Sequence, residues 1–351
     1  PAVSTMAEAW QEGKMRRAVG KKNGDFSKEG MVVYEEVDVP KADKDNVVVQ
    51  VKAAALNRID DLRAKGSSCQ WPPIYPCFDI SGTVVAKGPD ATGPLKVGDE
   101  VICCKYPPNN KDGGLAEYFI APEHTIGPKP DSWSHVEGAS LPMGILTAQK
   151  VVELGELKKE DKTVLVGASG FVGSMILVLN RTIGAPILAV ASGAKADYVK
   201  KVGGSTVTVC DYKTEKWQEK FTKEDPPVVV FDVSSQAPTI SYYEASKLGA
   251  KRFVTTNTLN PNFRFNCCCC CSELCWCCKS KCCTMCCGRP KYNLALFSTK
   301  DAGKTYKICS DLAAKKELEP VPLESFPPKQ VHMAYGCISG TGKKAVIDLS
   351  L

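Results

Sequence analysis

The residues best suited to chemistry lie midway along the chain, where Val164-Leu165-Val166 runs into Gly167-Ala168-Ser169-Gly170-Phe171-Val172-Gly173 and then into the apolar segment Ser174 to Leu179. Small residues let a strand turn tightly into a helix, and they let backbone N–H groups approach a pyrophosphate at the positive helix end. Ala168, Ser169, Gly170, Phe171, Val172 and Gly173 are therefore the expected dinucleotide contacts. A merely structural glycine turn is the plain alternative, and the repeating strand and helix pattern around this one argues against it. The next strand ends in Val190-Ala191-Ser192-Gly193-Ala194-Lys195, with no acid where an NAD-preferring fold places Asp or Glu on the ribose hydroxyls. Ser192 and Lys195 offer a hydroxyl and a cation to a 2′-phosphate instead. NADPH is the expected cofactor, unless Lys195 is only a solvated helix residue.

These residues need a scaffold, and the chain supplies two kinds. From Arg16 to about Val101, short β-type runs alternate with Gly, Pro and Asp turns, among them Met31 to Val39, Val47 to Ala53, Ile80 to Ala86 and Glu100 to Cys103. That rhythm predicts a β-rich barrel or sandwich. From Thr163 it changes to strand Thr163 to Val166, helix Val172 to Ile183, strand Ile187 to Ala191 and helix Ala194 to Val202. Strands Thr206 to Cys210 and Val228 to Val233, helix Pro238 to Leu248 and strand Arg252 to Thr256 follow. The class is α/β, with a doubly wound parallel sheet. A Pro-rich tail returns to the first domain through a last strand, Ala345 to Leu349. A cleft beside such a sheet is a common small-molecule site.

At 351 residues the chain is long enough for two domains. Its 45 Lys plus Arg and 39 Asp plus Glu are dispersed, with no basic block interleaved with aromatics, so nucleic acid is not implied. No apolar run reaches the length of a membrane span. Of 19 cysteines, twelve crowd between Cys267 and Cys287, a distribution unlike a secreted disulfide framework. The chain opens at Pro1 with neither an apolar signal core nor an Arg-rich amphipathic helix. That suits a trimmed sequence, or an organelle matrix or stroma reached with a targeting peptide since removed, the cytoplasm being the alternative.

Several collinear segments share one pattern. Asn57-Arg58-Ile59-Asp60 reads as N-x-x-D, and Pro76-Cys77-Phe78-Asp79-Ile80-Ser81-Gly82 as P-G-x-D-x-x-G with Cys77 in the glycine's place. Gly98-Asp99-Glu100-Val101, Gly113-Gly114-Leu115-Ala116-Glu117-Tyr118, Ala139 to Pro142 with Leu146-Thr147-Ala148, and Ala168 to Gly173 complete the series. From Met15 to Leu351 the order resembles the medium-chain dehydrogenase/reductase superfamily, closest to its zinc-free quinone and enone reductases. The resemblance implies a GroES-like β-rich domain over 15–140, completed by 318–351, and a Rossmann-type NADPH domain over 141–317 with a Cys-rich insertion at 267–287. Where the alcohol dehydrogenase branch carries its catalytic zinc ligands this chain has Asn57 and Phe78, and the structural zinc lobe has only Cys103 and Cys104, so no metal is expected. The family's phosphate-binding Lys and Tyr correspond to Lys195 and Tyr212, the latter only after a short insertion near Gly204 and Ser205. Ile338 and Leu62 stand where relatives carry an Arg and a Tyr.

The implied reaction is hydride transfer from NADPH to a quinone or an α,β-unsaturated carbonyl. Asn57 and Asp60 are the expected site-formers and Thr147 the nicotinamide-side contact, while Asn57 also reads as a cap for the helix Ile59 to Ala64. Cys275, Cys278, Cys283 and Cys286 have metal-ligand spacing, but so dense a tract produces nearly every spacing by chance. The tract otherwise reads as an apolar segment, a membrane-surface contact or a partner contact, and in the family this loop lies near the dimer contact, so a homodimer is a further expectation. The competing reading of the whole chain is an accessory subunit of an organellar membrane complex that binds cofactor with little or no turnover.

Overall fold

The computed structural model describes residues 13–66, 72–104, 113–234, 239–257, 291–295, 299, 302–338 and 343–351. The cysteine-rich segment 267–287, with its metal, membrane and partner readings, lies outside them. Two compact units divide the chain, one of Pro1–Met143 with Ser298–Leu351 and the other of Gly144–Phe297.

In the first unit, β1 (Lys14–Val19) and β2 (Val33–Asp38) form an antiparallel ribbon. Next come β3 (Asn46–Ala55), helix α1 (Arg58–Ala64), β4 (Asp79–Lys87), β5 (Glu100–Cys104), β6 (Tyr118–Pro122), β7 (Ile126–Pro128) and helix α2 (His135–Ala139). Strand β3 pairs antiparallel with both β4 and β6, and its inward side chains Val47, Val49 and Val51 bury with Ile80, Val101 and Phe119 as the core. Full burial of each such side chain contributes about 1.5–3 kcal/mol. The last glycine of the P-G-x-D-x-x-G pattern has a packing reason: a Cβ on Gly82 would lie 2.1 Å from Gln50 O on the neighbouring strand. Gly82→Ala is expected to destabilise the protein by about 1–3 kcal/mol, seen as a lower urea midpoint at unchanged slope.

Helix α3 (Pro142–Gly155) leads into the second unit, where β8 (Thr163–Val166), α4 (Phe171–Ile183), β9 (Ile187–Ala191), α5 (Ala196–Gly203), β10 (Val207–Asp211), β11 (Val229–Asp232), α6 (Thr239–Leu248), β12 (Arg252–Thr255) and β13 (Lys291–Leu294) follow. The six strands are all parallel in the order β10-β9-β8-β11-β12-β13. This is the doubly wound order with its reversal between β8 and β11. Buried Val164, Val190, Val230, Phe253 and Tyr242 share one core, Tyr242 meeting Phe253 edge-on at 5.3 Å.

The tail runs through α7 (Ala302–Ala314), β14 (Leu323–Phe326), α8 (Val331–Cys337) and β15 (Lys344–Asp348). β15 pairs antiparallel with β3 and parallel with β14, so the tail does complete the β-rich sheet. One boundary differs from the sequence reading: α7, expected within 141–317, belongs to the first unit. The cause is a close backbone approach. A Cβ on Gly127 would lie 2.8 Å from Tyr306 Cβ, and one on Gly303 2.8 Å from Ile126 O, so paired glycines seat the helix against β7.

Candidate active site

The glycine turn has the shape its residues imply. Gly167 leaves β8 at φ +86°, a conformation that disfavours side chains. Gly170 is the N-cap of α4, and its N–H returns to Gly167 O at 3.0 Å. A Cβ on Gly173 would sit 2.3 Å from Gly167 O and 2.9 Å from Ala168 Cα, so the helix can lie against the turn only because position 173 lacks a side chain. Bare backbone at the N-terminus of a 13-residue helix fits a dinucleotide pyrophosphate. Phe171 opens that helix, and its ring covers Gly144 so closely that a Cβ there would fall 1.8 Å from the ring edge. Val172 and Ser169 complete the turn.

Ser192 and Tyr212 are brought together at the adjoining strand ends, because Asp211 registers with Ala191 and Tyr212 N–H bonds Ala191 O at 3.2 Å. The insertion near Gly204 and Ser205 is absorbed in a short 3₁₀ turn, Gly204–Thr206. Lys195 closes another such turn, and both it and Tyr212 are exposed to solvent. The sequence reading missed one group here. Asp211 at the end of β10 comes so near that a Cβ on Gly193 would lie 2.4 Å from its Oδ2, and its Oδ1 accepts Lys213 N–H at 3.0 Å. The same rim thus carries an acid, contributed by the third strand rather than the second.

A second missed group follows β11. Buried Asp232 accepts both the N–H and the hydroxyl of Ser234, at 3.0 and 2.7 Å, and burial pushes its pKa up. Ser234 abuts the glycine turn, where a Cβ on Gly167 would lie 2.8 Å from its nitrogen, and Asn257 Nδ2 donates to Ser234 O. A usable signal existed, since in this strand order the residues after β11 must border the turn after β8. Thr147, the expected nicotinamide-side contact, lies on α3 and is 9% exposed.

In the first unit, three strands converge on Asn57. It directly follows Leu56, whose N–H bonds Ala345 O at 3.0 Å, and the β3–β4 register sets Asp79 opposite Ala55. Lys344, the first residue of β15, donates to Asn57 Oδ1 and reaches Asp79 Oδ2 at 3.3 Å, while Asn57 Nδ2 donates to Asp79 Oδ2 at 2.9 Å. Asp79 Oδ1 accepts Met143 N–H at 2.9 Å. Asn57 does head the helix Arg58–Ala64, and its amide is also tied into this charged cluster.

Asp60 is tied to backbone on both of its oxygens. Its Oδ2 accepts Asn57 N–H at 2.8 Å and its Oδ1 accepts Cys77 N–H at 2.9 Å, so it fastens two backbone segments and is 1% exposed. Burial raises its pKa to about 6, opposed by the Arg63 guanidinium. Burial raises Asp79 likewise, opposed chiefly by Lys344. Cys77, in the glycine's place, adopts φ +65°, which explains the pattern's preference. Phe78 lies under Arg63, whose guanidinium carbon is 4.6 Å from the ring centroid. Among the described residues no group of three His, Cys, Asp or Glu side chains is arranged to hold a metal, and no helix is long and apolar enough to cross a membrane.

Against known proteins, residues 43–131 match the alcohol dehydrogenase GroES-like domain. The chain is 32% identical over 239 residues to a 2-methylene-furan-3-one reductase of Solanum lycopersicum, covering 65% of this chain and 60% of that protein. It is 31% identical over 237 residues to a chloroplastic NADPH-dependent alkenal/one oxidoreductase of Arabidopsis thaliana, covering 65% and 59%. The chain therefore spans about three fifths of these relatives. Among solved structures, a quinone oxidoreductase from Coxiella burnetii superposes with a TM-score of 0.75 at 20% identity, over 96% of this chain and 99% of that one. An alcohol dehydrogenase superfamily protein from Novosphingobium aromaticivorans gives 0.77 at 19%, over 95% and 99%. The glycine turn, the strand order and the Asn57 neighbourhood agree with these likenesses: the chain carries an alcohol dehydrogenase GroES-like domain and is similar to quinone and enone oxidoreductases of the medium-chain dehydrogenase/reductase kind.

Proposed function

We propose that the protein is an NADPH-dependent, zinc-independent reductase of α,β-unsaturated carbonyls or quinones. The observation that carries this reading is the backbone cradle at Gly167–Gly173, open only because position 173 has no side chain. Ala168 to Gly173 would hold the pyrophosphate, and Ser192, Lys195 and Tyr212 the 2′-phosphate. The bound nicotinamide supplies a hydride, hence the electron pair. On the protein's side, Asn57 presents an amide N–H donor to the substrate oxygen, where negative charge grows as the hydride adds at the β-carbon of an enone. Solvent then returns a proton to the α-carbon, which closes the balance of one hydride and one proton. Asp60 holds Asn57 by its backbone. Thr147 remains the proposed nicotinamide-side contact. An organellar setting is in keeping with the chloroplastic relatives.

Lys195→Ala should weaken NADPH binding by about one to two decades, the value of a lost charge-assisted bond, and leave NADH nearly unchanged. Titrating both cofactors tests this, with Asp211→Asn alongside. If that carboxylate served a ribose hydroxyl, Asp211→Asn would weaken NADH and the wild type would favour it, and the NADPH assignment would fall. Activity is expected to survive exhaustive chelation. Loss on metal removal with the fold intact would contradict the zinc-independent reading.

A further inference from the structure

Resting on the reductase reading above, we infer that Lys344 is a positioning residue that fixes and polarises the Asn57 amide for the substrate oxygen. An asparagine amide can turn over, exchanging its acceptor and donor ends. Here its surroundings decide. An ammonium group can only donate, so Lys344 demands the oxygen; a carboxylate can only accept, so Asp79 demands the nitrogen. Reversing the amide would set donor against donor and acceptor against acceptor. The second amide hydrogen is then the one left to offer a ligand, and Asn57 is half-buried where Asp79 is fully buried.

Polarisation acts in the same direction. A cation on Oδ1 draws electron density from the amide nitrogen and strengthens its N–H donors, an effect that is larger where water is excluded. Lys344 has a 6% exposed side chain and Asp79 a fully buried one. The cluster is also balanced, since Asp60 and Asp79 are met by Arg63 and Lys344 within one buried neighbourhood. A buried charge pair carries a desolvation cost that well-packed apolar residues would not, so it contributes little net stability of its own. Asn57 is hydrogen-bonded to both of its members.

Lys344→Met alone would leave Asp79 buried without its cation, so the test adds the double variant Lys344→Met with Asp79→Asn, which removes both charges together. In wild type, both of these, Asn57→Ala and the combination Lys344→Met with Asn57→Ala, two quantities are measured. The first is kcat with an enone, together with the dissociation constant for NADPH. The expected result is a loss in kcat of about 10- to 100-fold for Lys344→Met and for Asn57→Ala, little change in NADPH binding, and no further loss when the two are combined. Lys344→Arg should recover part of the loss. Multiplying losses in the combined variant would mean that Lys344 acts independently of Asn57 and would overturn the inference.

The second quantity needs no turnover. The Asn57 side-chain amide resonances, assigned by their absence in Asn57→Ala, should shift strongly when both charges are removed. If the wild type reduces no acceptor, the reductase reading fails by itself, and these resonances still decide whether Lys344 fixes the amide. Unmoved resonances would refute it.

Discussion

Gly173→Val is expected to weaken NADPH binding at least 100-fold while leaving a folded, somewhat less stable protein. The contacts are with backbone: even a Cβ at this position would meet Gly167 O at 2.3 Å and both Ala168 Cα and Ala168 O at 2.9 Å. No rotamer change relieves such a clash, so helix α4 must move off the turn or the turn must open. Either movement separates the amides expected to converge on the pyrophosphate. Losing two charge-assisted hydrogen bonds at roughly 1.5–3 kcal/mol each gives two decades or more. The fold should lose about 1–3 kcal/mol by overpacking. Gly184→Asn is the fitting control. That residue ends helix α4 in the left-handed helical region at φ +81° and ψ 20°, an added Cβ would meet only the Lys159 side chain at 3.8 Å, and asparagine tolerates that region. Titration of nicotinamide fluorescence with both variants separates the cases. Unchanged affinity in Gly173→Val would make the turn a structural feature only.

The next largest effect concerns Asp60 and depends on pH. Replacing it by Ala strips the acceptor from the N–H groups of Asn57 and Cys77 and removes the carboxylate facing Arg63, a loss of about 3–5 kcal/mol. Asp60→Asn keeps one acceptor and isolates the charge. In the folded protein burial raises this carboxyl from its usual 3.8 to about 6, so between these values the folded state holds a proton that the unfolded chain has released. Its contribution is therefore greatest below about pH 4 and is lost as pH rises through about 6, at about 1.4 kcal/mol per unit. Relative to Asp60→Asn, the wild type should lose roughly 3 kcal/mol of stability across that window. Urea unfolding at several pH values reads the difference. A constant difference between the two proteins would mean that Asp60 is not raised by burial.

Much of this architecture was legible in the sequence because parallel strands are buried on both faces and read as short apolar runs. Thr163 to Val166 and Ile187 to Ala191 match their strands residue for residue, and the small-residue hexapeptide marks the point where a strand turns into a helix. The helix Ala302–Ala314 joins the first unit through two glycines far apart in sequence, Gly127 and Gly303, which only a contact can connect. Lys344 was hidden for a similar reason. It lies 287 residues from Asn57, and as half of a Lys-Lys pair near a turn it looks like a solvated residue. Asp211 is not legible from the second strand, which ends without an acid; only the parallel register brings the third strand's end to the same rim. Asp60 was found by its motif, but motif spacing says nothing of which atoms a carboxylate touches.

The measurement that bears most directly on the central claim is NADPH oxidation by the purified 351-residue chain, in the presence of a chelator, with a short-chain enone and a benzoquinone as acceptors. The account predicts loss of nicotinamide absorbance matched by stoichiometric reduced product, with kcat/KM on the order of 10⁴ M⁻¹s⁻¹ or more for at least one acceptor and a clear preference over NADH. Tight NADPH binding with no oxidation by any acceptor would contradict it, and would identify the chain instead as a cofactor-binding subunit that retains the fold without the reaction.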